Sequence, residues 1–313
     1  MNKQPLHITN GTHLTNTLNQ LGIEGEKLTW QEMLCEGPTS EMVYSEEFLN
    51  LRKTFFKAFY DVELDTDFIK EELNKLNHTE NYSEIVLWFE YDLFCHINMV
   101  AVISLIQQKK IDLPIYLVCS GRIEGSKNLK GLSEISPEQL MNHYKNKVLL
   151  DEEGIDLATT IWGIYCGIDH NLLKPFIVKP SAFEYLSNCL KAHLKRFPDS
   201  VDGLNTLERN ILEIINKYTI TSKHHLLGYA LNYQGFYGYG DLQFSRIIDQ
   251  LDMFYTVEKD RLVLNRKGHE ALLGQHNFLS EIDNGMMYGG VKKFDFQFSK
   301  SENKLIKTAL NAH

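Results

Sequence analysis

The stretch that decides the fold is residues 84–108, EIVLWFEYDLFCHINMVAVISLIQQ. Its first part, residues 85–89, is a short run of β-branched, aliphatic and aromatic residues, which is typical of a buried strand. After Glu90 and Asp92, apolar residues recur at helical spacing from Phe94 to Leu105. A buried strand that passes directly into a helix is the repeating unit of an α/β domain.

Three other short apolar runs precede or follow this unit and alternate with helical patterns. We therefore expect one mainly parallel sheet, with helices on its faces, built from residues 6–9, 27–30, 85–89 and 115–119. The fold class predicted for the first part of the chain is thus α/β, with a helical extension up to residue 198.

A polar segment at residues 197–204 marks a predicted domain boundary. Beyond it, helical patterns at 205–218, 222–233 and 241–253 come before a hairpin pattern at 254–264. Three helices and a hairpin predict a winged-helix-like domain over residues 199–313. Its third helix would read DNA, but Asp241, Asp249 and Asp252 outnumber Arg246 there, so DNA reading is disfavoured.

Composition excludes several classes of protein. The net charge is −9, and residues 201–313 hold 13 acidic and 13 Lys or Arg residues, so the excess lies in the first 200 residues. An acidic domain binds nucleic acid poorly. The apolar runs are shorter than the ~20 residues of a membrane span, and the N-terminus is polar, so we expect a cytoplasmic protein without a membrane anchor. Five cysteines without CxxC spacing indicate reduced thiols rather than a thiolate zinc site.

The candidate site lies where the first strands end, because α/β sheets bind ligands at the carboxyl ends of their strands. Six residues lie at or next to these ends: His7, Asn10, Gly11, Glu36, Glu90 and Asp92. In an enzyme, Glu90 or Asp92 would be the general base or a metal-holding carboxylate, and His7 an acid/base or orienting group. Asn10 and the Gly11 turn would bind an anion.

Several of these residues also fit purely structural roles. Asp92 is placed to cap the following helix, and Glu36 precedes Gly-Pro in a loop that suits either a turn or a ligand contact. Asp92 and His96 are four residues apart, which fits an acid/base pair, two metal ligands or a surface pair. Since no third ligand is apparent, the sequence predicts no metal site. Arg52, between aromatic residues, is either the anion partner of the acidic loops or part of a solvated helix face.

These residues predict a small-ligand site, with a nucleotide or another phosphorylated, anionic molecule as the leading candidate. They name no cofactor, and leave open whether the protein is an enzyme. The alternative is a non-enzymatic regulator or scaffold that binds a protein, or less readily DNA, through its C-terminal domain and the aromatic loop at residues 235–240.

Several motifs together resemble the bacterial family named domain of unknown function 1835, followed by its companion, domain of unknown function 3658. The matching segments are residues 7–11 (HITNG), 34–38 (LCEGP), 87–90 (LWFE), 92–95 (DLFC), 131–132 (GL), 136–140 (SPEQL), 203–204 (GL) with Glu208, and 289–291 (GGV). Thr12 stands where the family usually has aspartate, and His96 where it often has glutamine. The resemblance covers nearly the whole chain and brings no assigned activity.

Overall fold

The computed structural model of the protein describes residues 3–308. Within this range the strands are β1 (Gln4–Asn10), β2 (Glu26–Trp30), β3 (Gly37–Pro38), β4 (Tyr82–Phe89), β5 (Ile115–Cys119), β6 (Val148–Leu149), β7 (Tyr255–Glu258), β8 (Arg261–Leu264), β9 (Met287–Gly289), β10 (Val291–Lys292), β11 (Phe296–Ser299) and β12 (Lys304–Lys307). The α-helices are α1 (Thr12–Gln20), α2 (Glu46–Tyr60), α3 (Thr66–Asn74), α4 (Leu93–Gln108), α5 (Pro137–Lys145), α6 (Glu152–Cys166), α7 (Lys174–Val178), α8 (Leu186–Leu194), α9 (Thr206–Lys217), α10 (Lys223–Asn232), α11 (Asp241–Gln250), α12 (Arg266–Leu272) and α13 (Leu279–Ile282).

The main sheet has the strand order β2-β1-β4-β5-β6. Its first four strands are parallel, and β6 is antiparallel to β5. The four strands predicted from the sequence therefore share one sheet, and the α/β prediction is confirmed. Ile8 of β1 pairs with Leu28 of β2 and with Leu87 of β4, and all three side chains are buried.

Helix α4 crosses one face of this sheet and is almost completely buried. Of its 16 residues, 13 are buried, because it also packs against α6 and α8. A helix that is apolar on every side belongs in such a position. On the other face, α1 and α5 contribute Leu14, Leu18 and Leu140 to a smaller core with Val86 and Trp88.

The C-terminal part begins with α9, α10 and α11, followed by the antiparallel hairpin of β7 and β8. Lys259 and Asp260 form its turn, both with positive φ. These elements follow the order expected from the sequence, while the winged-helix assignment stays a prediction. No helix within residues 3–308 combines the length and apolarity needed to cross a bilayer.

The C-terminal part joins the α/β part directly. Strand β9 pairs in parallel with β3, in the loop after β2. The loop at residues 235–240 lies on the start of α4, where the carbonyl oxygens of Phe236 and Tyr237 accept backbone N–H groups. Residues 199–308 therefore contribute to the edge of the sheet at which the candidate site was expected.

Candidate functional site

The turn between β1 and α1 contains Asn10 and Gly11. Gly11 has a φ of 95°, in the region that favours glycine, and its N–H donates to the carbonyl oxygens of Thr9 and Trp30 at 3.2 and 2.9 Å. The Asn10 amide donates from Nδ2 to the Cys95 thiol over 3.1 Å. The turn is thus held by β2 on one side and by α4 on the other.

Asn98, on α4, is a buried polar residue that belongs to none of the sequence motifs described above. Its Nδ2 donates to Asn10 Oδ1 at 2.9 Å and to the Glu32 carbonyl at 2.7 Å. Its Oδ1 accepts from the Leu34 N–H at 3.2 Å. One side chain therefore fixes the ends of β1 and β2 relative to α4. The sequence signal for this role is that Asn98 is a lone amide in an apolar helix. A buried amide needs hydrogen-bond partners, so such a residue indicates a structural contact.

The N-terminus of α4 is fully engaged within the protein. Asp92 caps it, as its structural interpretation predicted, by accepting the Cys95 N–H at Oδ1 over 2.8 Å. The N–H groups of the first two helical residues donate to the carbonyl oxygens of Phe236 and Tyr237, at 2.8 and 3.2 Å. These donors are not free to hold the phosphate of a ligand.

Gly238 separates Asp92 from the surface. It has a φ of 69° and lies so close that an added Cβ would be 2.2 Å from Asp92 Cγ. On its other side, the same glycine lines a cleft that opens at the carboxyl ends of β1 and β2. The loop at residues 235–240 is therefore a wall between that cleft and the acidic residues.

Glu90, Asp92 and Cys95 form a compact cluster behind this wall, and one donor atom from each lies within 4.8 Å of the other two. Two carboxylates and a thiolate can hold a divalent cation such as Zn²⁺, but burial raises the pKa of the Cys95 thiol and so opposes the thiolate form that such a site needs. Glu90 also accepts the Ser133 N–H at 3.3 Å. The structure thus brings together Glu90 and Asp92 of the six candidate residues, with Cys95 as an additional member.

Burial controls the protonation of these acids. It raises the pKa of Asp92 to about 7, and the neighbouring Glu90 adds to the rise, against hydrogen bonds from the Cys95 and Phe94 N–H groups. Burial likewise raises the pKa of Glu90. A carboxyl group with a pKa near neutrality can both accept and donate a proton under physiological conditions.

The ring of His96 contacts the backbone of Asp92 and not its carboxylate. Its Nδ1 is 2.9 Å from the backbone carbonyl oxygen of Asp92 and donates to it. Burial lowers the pKa of His96 to about 4, so the ring is neutral. The sequence left an acid/base pair, two metal ligands or a surface pair open for these two side chains; the structure instead has a hydrogen bond from the His96 ring to the Asp92 backbone.

His7 lies in the middle of β1 rather than at its carboxyl end, so the structure does not bring it to the cluster. Its Nε2 donates to the Glu24 carbonyl at 2.9 Å, and its Nδ1 accepts from Trp88 Nε1 at 3.0 Å. Burial lowers the pKa of His7 to about 4. Both ring nitrogens are satisfied, which gives His7 a structural role.

Glu36 is also held apart from the cluster. It is 1% exposed, and its carboxylate accepts from Tyr60 Oη and from Arg246 Nη2, the latter at 2.8 Å. Arg246 belongs to α11, so this ion pair joins the C-terminal part to the loop after β2. The sequence offered Arg52 as the partner of the acidic loops, whereas the Glu36 carboxylate pairs with Arg246, which had entered only the charge balance of its helix.

Arg52 is fully buried, so its interpretation as part of a solvated helix face is wrong. Its Nε contacts Glu32 Oε2 at 3.2 Å, and its other nitrogens donate to carbonyl oxygens of residues 33, 36 and 38. Arg52 thus holds the loop after β2 in shape. Its acidic partner is Glu32, which is not among the candidate residues indicated by the sequence.

A cleft of about 480 Å³ opens at the carboxyl ends of β1 and β2, against the start of α11. Its lining residues are Asn10, Gly11, Trp30, Gln31, Glu32, Met33, Phe56, Leu64, Phe94, Gly238, Gly240, Asp241, Leu242 and Gln243. Six of these fourteen residues are apolar or aromatic and three are glycines, and among residues 3–308 no lysine, arginine or histidine lines the cleft.

Two of the lining residues carry buried polar atoms without a hydrogen-bond partner anywhere in residues 3–308. They are Trp30 Nε1, a donor, and Glu32 Oε1. An unsatisfied buried polar atom costs about 1–3 kcal/mol, so such atoms are uncommon in folded proteins. Both belong to the same short segment at the end of β2.

No protein-family model matches the chain, and no curated protein is significantly similar to it. Among solved structures, the chain is similar to the topoisomerase II DNA-binding, cleavage and re-ligation domain of Plasmodium falciparum, with a TM-score of 0.43 and 13% identity. The match covers 82% of this chain and 43% of that one. A similarity this weak carries no inference about function.

Proposed function

We propose that the protein binds a small molecule in the cleft at the carboxyl ends of β1 and β2. The observation that carries this proposal is the cleft itself, which the ends of β1 and β2, the start of α11 and several apolar and aromatic side chains line. Its volume of about 480 Å³ falls within the usual range of ligand pockets, roughly 300–1,000 Å³. Its position is the one at which α/β sheets bind their ligands.

The lining indicates how a ligand would be held. Phe56 and Phe94, which are partly exposed, offer aromatic surface to an apolar body, and Asn10 and Gln31 are polar residues of the lining with exposed surface. Mostly apolar walls with a few polar groups are the usual composition of a small-molecule site. A phosphorylated ligand remains a prediction. Among residues 3–308, no cationic side chain lines the cleft to bind its phosphate group.

An enzymatic form of this function would use the acidic cluster, and the loop at residues 235–240, which separates the cluster from the cleft, would then have to open. Asn10 lines the cleft and also donates to Cys95, so it connects the cleft to the cluster of Glu90, Asp92 and Cys95. An acid with a pKa near 7, such as Asp92, suits proton transfer at neutral pH. The proposal of binding stands without catalysis.

The alternative role, protein or DNA binding through the C-terminal part, has less support. On α11, Gln243, Phe244 and Ile247 are buried, and the exposed residues include Asp241 and Asp249. An acidic helix face repels the phosphates of DNA. In the aromatic loop, Tyr237 and Tyr239 are buried and so are not displayed to a partner.

A thermal-shift screen with nucleosides, nucleotides, amino acids and amines tests the proposal. A ligand at 100 times its Kd adds about 2.7 kcal/mol to the free energy of unfolding, so at least one class should raise the Tm of the wild-type protein by several degrees. The Leu242→Glu variant should lose this increase, because Leu242 lines the cleft and is 62% exposed.

Leu273→Glu is the matched control, since Leu273 is 69% exposed and does not line the cleft. Both variants should fold, because each adds a charge at a solvated position. The proposal fails if no compound in the screen stabilises the wild-type protein. It also fails if the compounds that do so stabilise both variants equally.

A further inference from the structure

Arg196 is a buried cation that joins three parts of the chain. It lies just after α8, and its guanidinium group donates to the Cys35 carbonyl oxygen in the loop after β2 and to Tyr239 Oη, the latter at 3.0 Å. Its guanidinium carbon is 4.1 Å from the centre of the Tyr288 ring on β9. The residue is 0% exposed. A positive charge is thus held in the interior against a carbonyl oxygen, a hydroxyl group and a ring face.

Two buried histidines continue these contacts toward α6. Arg196 Nη2 is 2.6 Å from His193 Nδ1, and His193 Nε2 is 2.8 Å from His170 Nδ1. At the far end, His170 Nε2 is 2.9 Å from the Tyr165 carbonyl oxygen. His193 and His170 are 0% and 1% exposed, so both rings depend on these partners within the protein.

The two ends of this chain fix the position of every proton in it. A carbonyl oxygen only accepts, so His170 Nε2 donates to Tyr165 and His170 Nδ1 accepts. His193 Nε2 must then donate to His170, which leaves His193 Nδ1 to accept from Arg196, a group that only donates. Both rings are therefore neutral, each in one tautomer, and neither can take up a proton without losing a hydrogen bond.

The surroundings favour these neutral rings. Burial lowers the pKa of His170 to about 4 and that of His193 well below its usual value, and Arg196 lowers both further. The other titratable or charged groups around the chain are Tyr165, Asp169, Tyr239, Tyr288, Cys35 and Glu36. Burial raises the pKa of the three tyrosines and of the Cys35 thiol, so these four are neutral. Asp169 partly offsets the effect of burial on His170, and Glu36 is paired with Arg246.

We propose that this chain is an acid-sensitive latch on the loop at residues 235–240. A proton on either histidine replaces an acceptor with a second donor, so Arg196 separates from His193 and releases Tyr239. The loop then moves away from the start of α4. Because this loop is the wall between the cleft and the acidic cluster, its release joins the two. The latch goes beyond the proposed function and requires no ligand.

The direction of the pH dependence follows from the two states. In the closed state the rings stay neutral, whereas a histidine released to solvent titrates near its ordinary pKa of about 6.5. The open state therefore binds more protons below pH 6.5, and acid favours opening. Between pH 7.5 and pH 5 the opening equilibrium should rise about thirtyfold for each histidine that is released.

Hydrogen exchange, followed by mass spectrometry and corrected for the intrinsic rate at each pH, measures this opening. We expect faster exchange at pH 5 in peptides that cover residues 235–240 and residues 93–94, whose N–H groups donate to this loop. Peptides from β1 and β4 should stay protected, because the latch opens the loop and not the sheet.

Two variants assign the effect to the histidines. His193→Gln and His170→Gln each keep one donor and one acceptor but do not titrate, so each should reduce the rise by about thirtyfold. His7→Gln is the matched control. His7 is buried with a pKa of about 4, but its ring contacts Glu24 and Trp88 instead of this chain, so the rise should be unchanged.

The latch is overturned if exchange in residues 235–240 is the same at pH 7.5 and pH 5 in the wild-type protein, a comparison that depends on no variant. It is also overturned if β4 loses protection together with the loop, since the histidines would then act only on global unfolding. Retention of the full rise in His193→Gln and His170→Gln, with both variants folded at pH 7.5 by circular dichroism, would likewise exclude it.

Discussion

Asp92 serves two roles that favour opposite protonation states. As the cap of α4 it accepts an N–H group, which favours the carboxylate. As a buried neighbour of Glu90 it is stabilised by a proton, and burial is the larger effect on its pKa, which is about 7. Between pH 4 and pH 7 the unfolded chain therefore releases this proton while the folded protein retains it.

This difference makes stability fall as the pH rises, because the folded state binds more protons than the unfolded state in that window. Asp92→Asn should relieve the loss, since an asparagine oxygen can still accept the Cys95 N–H. At pH 4 we expect the variant to have the same free energy of unfolding as the wild-type protein, or a lower one. By pH 8 its free energy of unfolding should have risen by roughly 3 kcal/mol relative to that of the wild-type protein. Urea unfolding in EDTA at several pH values measures this.

Asp65→Asn is the matched control for this prediction, because Asp65 caps α3 through the same kind of bond, to the Phe68 N–H, but is exposed. A constant difference between Asp92→Asn and wild type from pH 4 to pH 8 would show that the carboxyl group is not protonated at neutral pH.

The residue-level predictions succeeded where chemistry is local. Asp92 as a helix cap followed from its position before an apolar helical pattern. The structural role of His7 did not follow from the sequence, because its partners, Glu24 and Trp88, lie 17 and 81 residues away. Glu32 gave no signal, since its significance depends on Arg52 and on an oxygen left without a donor.

At the level of elements, the loop at residues 235–240 completes the N-terminus of α4. Its close approach depends on Gly238, since any side chain there would overlap Asp92. Gly235, in the same loop, has nearly the same φ, 68° against 69°, but no atom within 4 Å of an added Cβ. Substitutions at the two glycines therefore separate the cost of backbone strain from the cost of a steric clash.

Gly235→Ala should cost about 1 kcal/mol in the free energy of unfolding, because alanine is strained at positive φ. Gly238→Ala should cost at least about 2 kcal/mol more, since its methyl group also displaces the loop from Asp92 and from the first N–H groups of α4. Chemical denaturation of both variants tests this. Equal losses in the free energy of unfolding of the two variants would mean that the loop does not pack closely against Asp92.

The sequence predicted this loop as an aromatic, flexible segment suited either to packing or to partner contact. That expectation followed from three glycines among aromatic residues. The pattern could not indicate that the loop caps a helix more than 130 residues earlier in the chain, because backbone carbonyl groups carry no sequence signal. Helix α4 itself was predictable, since an apolar pattern on every side specifies burial without reference to partners.

For the whole molecule, the main sheet was predictable and the arrangement of the C-terminal part against it was not. Strands β1, β2, β4 and β5 are each marked by local apolar runs. The pairing of β3 with β9 and of Glu36 with Arg246 joins residues more than 200 positions apart. These contacts decide which surfaces are covered, and so they decide where the cleft opens.

The ion pair between Glu36 and Arg246 should therefore contribute to the stability of the whole chain. Their side chains are 1% and 17% exposed, and removing one partner of a buried pair leaves an uncompensated charge, at a cost of about 3–5 kcal/mol. We expect Arg246→Gln to lower the free energy of unfolding by about that amount. The exposed pair of Arg266 and Glu270 provides the control, since Arg266→Gln should cost less than about 1 kcal/mol.

The double variant Glu36→Gln, Arg246→Gln distinguishes a coupled pair from two independent contacts. With both charges removed, glutamine and Tyr60 can still exchange hydrogen bonds, so the double variant should be more stable than Arg246→Gln alone, with a coupling energy of about 1–3 kcal/mol. Additive losses in this cycle would mean that the two residues act separately. The covering of the sheet edge by α11 would then depend on apolar packing, through Phe244 and Ile247, rather than on this pair.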